Sequence, residues 1–417
     1  MSSVVVPTAT GPIDASLRPP GSKSETIRAL CCAALGSGRS HIYSALEAND
    51  THAMRAVLAE AGVNVDTSGE VWAVDGLGGR FHLDDAVLDA NESGLTARIG
   101  LVLAGSAEGT STLTGQGRLP ERPFAGLVRV LIELGVEIDG TRPPFHVTGH
   151  GPLWGGLISV DCSETSQFVS AVMLFAPTMT EAAQIDLVNL RGSQGYLDMT
   201  ASIMGRFGAS VRRSLTAYEV DPTGYTSTDV VITPDASSAV YPMIAAAITG
   251  GRVVIEGVAS SQHPDMRVVT ALSEMGCEVS VVGADLAVTG PDTLAPLSID
   301  MSGSPDGALA LVIACLHSDG VSSIRGLASL RHKESDRLEA LGREVAKLGG
   351  ELAIEADSIE VQPRSLHGAE LDSHGDHRMA MSLALVGLTT PGVVISDPGV
   401  VTKTWPQYWS VLNDLAG

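Results

Sequence analysis

The sequence predicts an α/β fold of two domains, each built from three copies of one unit. Three observations carry that expectation. First, an apolar helix with a small or polar start begins near Ser24, Gly94, Ser166, Ser237, Asp306 and Asp376, at intervals of 70, 72, 71, 69 and 70 residues. Second, each of the first five copies has a further helix that stops at glycine and runs into a short strand. The stops are Gly62-Val63-Asn64-Val65, Gly135-Val136-Glu137-Ile138, Gly208-Ala209-Ser210-Val211, Gly276-Cys277-Glu278-Val279 and Gly349-Gly350-Glu351-Leu352. Glycine suits the residue after a helix because it takes φ > 0 without a Cβ clash. Third, 417 residues exceed one ordinary core, and a unit of this size is longer than the ~20–50 residues of a solenoid repeat, so the copies should gather into closed domains.

Taken in chain order, Val4-Val5-Val6 and then Ile13 to Leu17 read as strands, and the sixth copy reaches Gly417 without a strand of its own. The N-terminal strands are therefore expected to complete the C-terminal half. Breaks at Pro19-Pro20 and Pro234 then divide the chain into domain I, residues 1–19 plus 234–417, and domain II, residues 20–233.

Composition narrows the function class. The chain is 44% apolar and 18% charged, with a net charge of −22. A nucleic-acid binder needs a basic face to displace counterions, so that class is disfavoured. The longest apolar runs are of the order of Ala171 to Ala176 and Leu309 to Leu316, far short of the ~20 residues that span a bilayer. No basic-then-apolar start suggests a signal peptide. Five scattered cysteines without a Cys-x-x-Cys pair fit a reduced, cytoplasmic protein, with Cys162 the one near a motif.

Positive charge is concentrated. Only four lysines occur, Lys23, Lys333, Lys347 and Lys403. Three stand in unusual company: Pro20-Gly21-Ser22-Lys23-Ser24 with Arg28, Arg331-His332-Lys333-Glu334-Ser335-Asp336-Arg337, and Val401-Thr402-Lys403-Thr404-Trp405. Lys347 lies on an amphipathic helix and reads as surface. Arg98, Arg122 and Arg378 fall at matching places in other copies. Helix N-termini add unpaired N–H groups, worth about 0.3–1 kcal/mol each toward an anion. The net charge does not cancel such a site. A charge ~20 Å away in water contributes only about 0.2 kcal/mol, whereas a contact at ~4 Å contributes about 4 kcal/mol at an effective dielectric near 20.

Thr165-Ser166-Gln167, Ser193 and Ser237-Ser238 are either helix caps or neutral donors to such an anion, and Asp235 reads as a cap. Asp306 and Glu334 stand beside the cations. Either they are a cap and a salt-bridge partner, or they are an acid/base pair for proton transfer. Ser373, His374 and His377 lack a third partner at ligand spacing, so no metal is expected. There is no phosphate-binding glycine loop of the nucleotide type.

The motifs Pro20-Gly21-Ser22-Lys23-Ser24 with Arg28, Pro120-Glu121-Arg122-Pro123, Thr165-Ser166-Gln167-Phe168, Lys333-Glu334-Ser335-Asp336-Arg337, Asp376-His377-Arg378-Met379-Ala380-Met381, Asp397-Pro398 and Lys403-Thr404 span essentially the whole chain. In that order they resemble the 5-enolpyruvylshikimate-3-phosphate synthase family. The resemblance implies a two-domain inverse α/β barrel of six βαβαββ repeats, three per domain. It also implies transfer of the carboxyvinyl group of phosphoenolpyruvate to the 5-hydroxyl of shikimate 3-phosphate, on the route to chorismate and aromatic amino acids. Both substrates carry a phosphate and a carboxylate, which is why Arg, Lys and helix N-termini are needed.

By matching position, the resemblance assigns shikimate 3-phosphate to Lys23, Ser24, Arg28, Thr165, Ser166, Gln167, Ser193, Asp306, Ser329 and Lys333. Phosphoenolpyruvate goes to Lys23, Gly94, Arg122, Gln167, Arg337, Arg378 and Lys403. Asp306 would take the hydroxyl proton and Glu334 would serve the methylene carbon, with Lys23 and Lys403 completing the catalytic set. The resemblance implies no metal, no organic cofactor, no nucleic-acid or membrane partner, and a monomer.

The chain departs from the family at three places. The usual Asn-Ala-Gly-Thr run reads Glu92-Ser93-Gly94-Leu95, and Ser329 stands where an Asn is usual. Glu92 puts a like charge near phosphoenolpyruvate, which predicts weakened inhibition by the phosphonate glyphosate. Thr165 for Ser is a mild change. The alternatives are a paralogue acting on another phosphorylated cyclitol, or a non-catalytic anion-binding protein on the same scaffold. UDP-N-acetylglucosamine enolpyruvyl transferase is similar in architecture, but its mobile loop usually carries a Cys where this chain has Gly117 to Pro123.

Overall fold

Beyond their polar starts, the helices that open the copies are apolar around the circumference, and such a helix has no face to give to water. In the computed structural model, which describes residues 2–190 and 192–417, these helices are buried accordingly. The chain forms two compact units, one of residues 1–20 plus 233–417 and the other of residues 21–232. Twelve α-helices occur among the described residues: α1 Lys23–Leu35, α2 Asn49–Glu60, α3 Gly94–Ser106, α4 Ala125–Glu133, α5 Gln167–Phe175, α6 Gln194–Arg206, α7 Ala236–Thr249, α8 Arg267–Glu274, α9 Ala308–Leu316, α10 Arg337–Lys347, α11 His377–Gly387 and α12 Tyr408–Ala416. Together with the strands they make a mixed α/β fold.

In the unit of residues 21–232, α1, α3 and α5 pack on one another, and every residue of α3 is buried. Three sheets accompany them. Gly36–Tyr43 pairs with Trp72–Leu77, Tyr225–Thr226 and Asp229–Val231, and Asn64–Asp66 pairs with Trp72–Leu77. The second sheet runs His82–Asp89, Glu108–Thr114, Phe145–His150, Glu137–Asp139. The third runs Gly156–Asp161, Ala183–Val188, Ala217–Val220, Val211–Arg213. The partner helices α2, α4 and α6 are amphipathic and bury one side only.

The other unit repeats this plan. Helices α7, α9 and α11 pack on one another, and all of α9 and α11 is buried. Ser298–Asp300, Ser322–Arg325, Ser358–Gln362 and Glu351–Ile354 form one sheet. The other two sheets take strands from the start of the chain. Ser3–Val5 runs antiparallel to Val394–Ser396, and Asp14–Leu17 runs parallel to Arg252–Ile255. Val6 then sits against Gly387 of α11, where a Cβ would lie 2.4 Å from its Cγ1. Only a residue without a side chain permits that approach.

The glycine stops behave as the sequence indicates. Gly62, Gly135, Gly208, Gly276 and Gly349 follow α2, α4, α6, α8 and α10, and all have φ between 83° and 98°. Helix starts lie within about a turn of the expected positions. The largest shift is at α9, because Pro305-Asp306-Gly307 forms a 3-10 turn before the helix begins at Ala308.

Candidate active site

In the unit of residues 21–232, the cationic groups are placed by helix starts. Gly21 passes so close to Ser44 that a Cβ would lie 2.0 Å from its carbonyl oxygen. Ser22 caps α1, accepting from the Glu25 N–H at 3.4 Å. Lys23 thereby opens the helix, and its Nζ donates to Asp50 Oδ2 at 3.0 Å. Asp50 lies on the first turn of α2 and had no motif to mark it.

Arg28 lies one turn further along and is 2% exposed. Its Nε donates to Thr200 Oγ1 at 2.8 Å, Nη1 to the Ser24 carbonyl at 2.9 Å and Nη2 to Ser170 Oγ at 3.3 Å. Burial pulls this guanidinium down to about 10, and no carboxylate lies within ion-pair distance of it among the described residues. A buried positive charge held by neutral groups is one that an incoming carboxylate or phosphate would stabilise.

Arg122 is 8% exposed and packs directly on Gly94, the first residue of α3; a Cβ there would lie 2.4 Å from Nη1. Glu92 is exposed and reaches toward Gly117, whose Cβ position would be 2.6 Å from Oε1. Leu95 is buried in the core. At α5, Thr165 Oγ1 accepts from the Gln167 N–H at 3.2 Å and so serves as a cap. Ser166 makes no side-chain cap bond, and Gln167 Oε1 is buried without a hydrogen-bond partner among the described residues. Ser193 precedes α6 in the left-handed region, φ 57°, also without a side-chain cap bond. Cys162 donates Sγ–H to the Val188 carbonyl at 3.0 Å, and burial pushes the thiol up to about 11, so it is no nucleophile.

The unit of residues 1–20 plus 233–417 brings its charged residues into one network. Asp306 lies 3.1 Å from Lys333 Nζ, 2.9 Å from Arg337 Nη1 and 3.7 Å from Arg378 Nη2. Arg337 is 1% exposed and also reaches Glu334 at 2.9 Å and Asp376 at 2.7 and 3.1 Å. Asp376 accepts from Ser335 Oγ at 3.0 Å and from the Arg378 N–H at 2.9 Å, capping α11. Burial alone would raise the Asp306 carboxyl, but Lys333, Arg378 and Arg337 outweigh it and hold the group well below the usual range. Burial alone would lower the Arg337 guanidinium, but Asp376, Glu334 and Asp306 leave it raised. Arg378 and Lys403 are both more than nine-tenths buried. Ser329 is half-buried in the turn Ala328–His332.

One expectation needs correction. Ser237 and Ser238 are not free donors to an anion. Ser237 Oγ donates to Asp265, and Ser238 Oγ donates to Asp235 at 2.8 Å, so internal carboxylates already take both hydroxyls. The carboxylates Asp306 and Glu334 do stand among the cations around Lys333, and Asp376 joins them. As for Ser373, His374 and His377, His374 Nε2 lies 2.8 Å from Glu344 Oε1. No group of three His, Cys, Asp or Glu suited to a metal ion occurs among the described residues.

Comparison with known proteins bears on what these charges serve. The structure resembles that of an EPSP synthase from Acinetobacter baumannii, with a TM-score of 0.83 at 24% identity over 99% of this chain and 98% of that one, a likeness in fold. The 3-phosphoshikimate 1-carboxyvinyltransferase of Methanoregula boonei is 37% identical over 98% of this chain and 99% of the relative. That of Methanoculleus marisnigri is 36% identical over 97% of each. The family model for EPSP synthase (3-phosphoshikimate 1-carboxyvinyltransferase) matches residues 7–412, and it is to this family that the chain belongs.

Proposed function

We propose that this chain transfers the carboxyvinyl group of phosphoenolpyruvate to the 5-hydroxyl of shikimate 3-phosphate, releasing phosphate. One observation carries the chemistry: Asp306 and Glu334, two carboxylates, are both bonded to the buried Arg337, with Lys333 and Arg378 also at Asp306. A mere anion binder gains nothing from carboxylates there. An addition–elimination needs them.

The attacking hydroxyl loses its proton to Asp306 as its oxygen bonds to C2 of phosphoenolpyruvate, while the C3 methylene gains a proton from Glu334. The adduct then loses phosphate as C3 returns a proton, and the vinyl group is restored. Proton transfers of this kind are typically worth 10²–10⁴-fold each. Arg337, Arg378 and Lys403 compensate the anionic charge of phosphoenolpyruvate and of the adduct. Lys23, Ser24, Arg28, Thr165, Ser166, Gln167 and Ser193 are assigned to shikimate 3-phosphate, as are Asp306, Ser329 and Lys333. Arg122 on Gly94 holds phosphoenolpyruvate.

The six sheets and six buried helices support the reading of the fold as two inverse α/β barrels of three βαβαββ repeats each. In that reading domain I is residues 1–19 plus 234–417 and domain II residues 20–233. One chain supplies the whole residue set, so the working unit is proposed as a monomer. No helix among the described residues is long and apolar enough to cross a membrane, and the proposed location is the cytoplasm.

The test is turnover in deuterated water. Phosphate release that requires both substrates, with deuterium entering the vinyl methylene, supports the reading. Phosphate release from phosphoenolpyruvate alone would overturn it.

A further inference from the structure

Asp265 lies in the turn Pro264–Met266 and is 1% exposed. Among the described residues no lysine or arginine is within ion-pair distance of it, and the nearest basic atom is His263 Nδ1 at 3.9 Å. An unpaired buried carboxylate is costly to a fold, so what it holds is informative. It accepts from Ser237 Oγ near the start of α7 and from Ser304 Oγ at 2.6 Å, while its own N–H donates to His263 Nδ1 at 3.1 Å. Ser304 is fully buried and immediately precedes the 3-10 turn Pro305–Gly307 that carries Asp306. On the far side of that turn, a Cβ on Gly307 would lie 3.6 Å from Asp265 Oδ1 and 2.8 Å from Val268. Ser304, directly before the Pro305-Asp306 pair, is therefore tied to Asp265, and the Gly307 backbone on the other side packs close to the segment that carries Asp265.

The turn needs such a support. Asp306 is drawn toward Lys333, Arg337 and Arg378, which sit on other elements, and Ser304 gives the turn no side-chain cap. Position is what a base sells its proton affinity through: a displacement of ~1 Å can cost 10²-fold in rate.

We propose that Asp265 is a positioning residue for Asp306, acting through the Ser304 hydroxyl to fix the turn on which Asp306 stands. The proposal rests on the reading of Asp306 as the group that takes the hydroxyl proton.

The experiment is a double-mutant cycle in the full chain, with kcat, KM and melting temperature measured for Ser304→Ala, Asp306→Asn and the pair. Ser304→Ala should lower kcat roughly tenfold. In the Asp306→Asn background the same change should produce no further fall, because there is no base left to misplace. Asp265→Asn, which keeps the shape of the side chain, should give the same pattern and stands in if Ser304→Ala does not fold. An equal fall in both backgrounds, or a lower melting temperature with kcat intact, would make the contact merely structural and overturn the proposal. Asp306→Asn retaining full kcat would overturn the reading of the base, and this proposal with it. Loss in Asp306→Asn with kcat intact in both Ser304→Ala and Asp265→Asn would overturn this proposal alone.

Discussion

Arg337 and Asp376 are joined by two hydrogen bonds, 2.7 Å from Nε to Oδ2 and 3.1 Å from Nη2 to Oδ1, with both side chains essentially sealed from solvent. The pair fixes the guanidinium plane, so its remaining edge points Nη1 at Asp306 and Nη2 at Glu334. One buried cation thus orients both proposed proton-transfer groups from a single anchor at the N-cap of α11.

Breaking that anchor should be expensive. Asp376→Ala leaves Arg337 buried with one fewer compensating charge and removes the cap of α11. The expected loss of stability is about 3–5 kcal/mol, the range for stripping one partner from a buried pair. Urea unfolding of the variant checks it; a loss below about 1 kcal/mol would mean Asp306 and Glu334 suffice to hold Arg337.

Asp306 stands among cations that are proposed to receive phosphoenolpyruvate. Removing its charge should therefore tighten binding of inorganic phosphate while abolishing turnover. For Asp306→Asn the expected gain is roughly tenfold in phosphate affinity, with kcat reduced at least 10²-fold. Calorimetry with phosphate and steady-state kinetics read the two effects separately.

The same carboxyl gives a pH signature. Its folded value is depressed, so its contribution to stability is present above the unfolded value of about 3.9 and fades as pH falls through the lower folded value. Asp306→Asn should flatten the pH dependence of stability below about pH 4 and leave the slope near neutrality unchanged. Denaturation midpoints measured across that acid window check the sign.

Gly94→Ala would place a methyl group against the Arg122 guanidinium, at 2.4 Å from Nη1. The guanidinium is the far end of a flexible side chain, so it can move aside and the fold should lose little. The expected result is a KM for phosphoenolpyruvate raised about tenfold with the melting temperature near wild type. An unchanged KM would remove Arg122 from the phosphoenolpyruvate set.

Glu92 is exposed and places a negative charge beside Gly117. Glu92→Asn should lower KM for phosphoenolpyruvate and strengthen inhibition by glyphosate, each severalfold and more at low salt. Full glyphosate sensitivity in the wild type, unchanged in the variant, would contradict this.

Much of the fold is legible because it rests on local chemistry. Glycine after each second helix reports a left-handed residue, and five such glycines have it. The apolar runs at Ala171–Ala176 and Leu309–Leu316 are wholly buried because no side of them is polar. What the sequence hides is pairing across long separations. Asp50 meets Lys23 from another helix, Asp376 marks a helix start but also clamps Arg337, and Asp265 takes the hydroxyls of Ser237 and Ser304 from two other segments. A residue's type shows that it needs a partner, but which partner depends on the packing of the sheets and helices.

The measurement that reaches the central claim most directly is the mass of the product formed when the wild-type chain is given phosphoenolpyruvate and shikimate 3-phosphate. The expected product is shikimate 3-phosphate carrying one carboxyvinyl group in place of a hydrogen, formed in equal amount with phosphate. Unaltered shikimate 3-phosphate, recovered from a folded protein that binds both ligands, would contradict it.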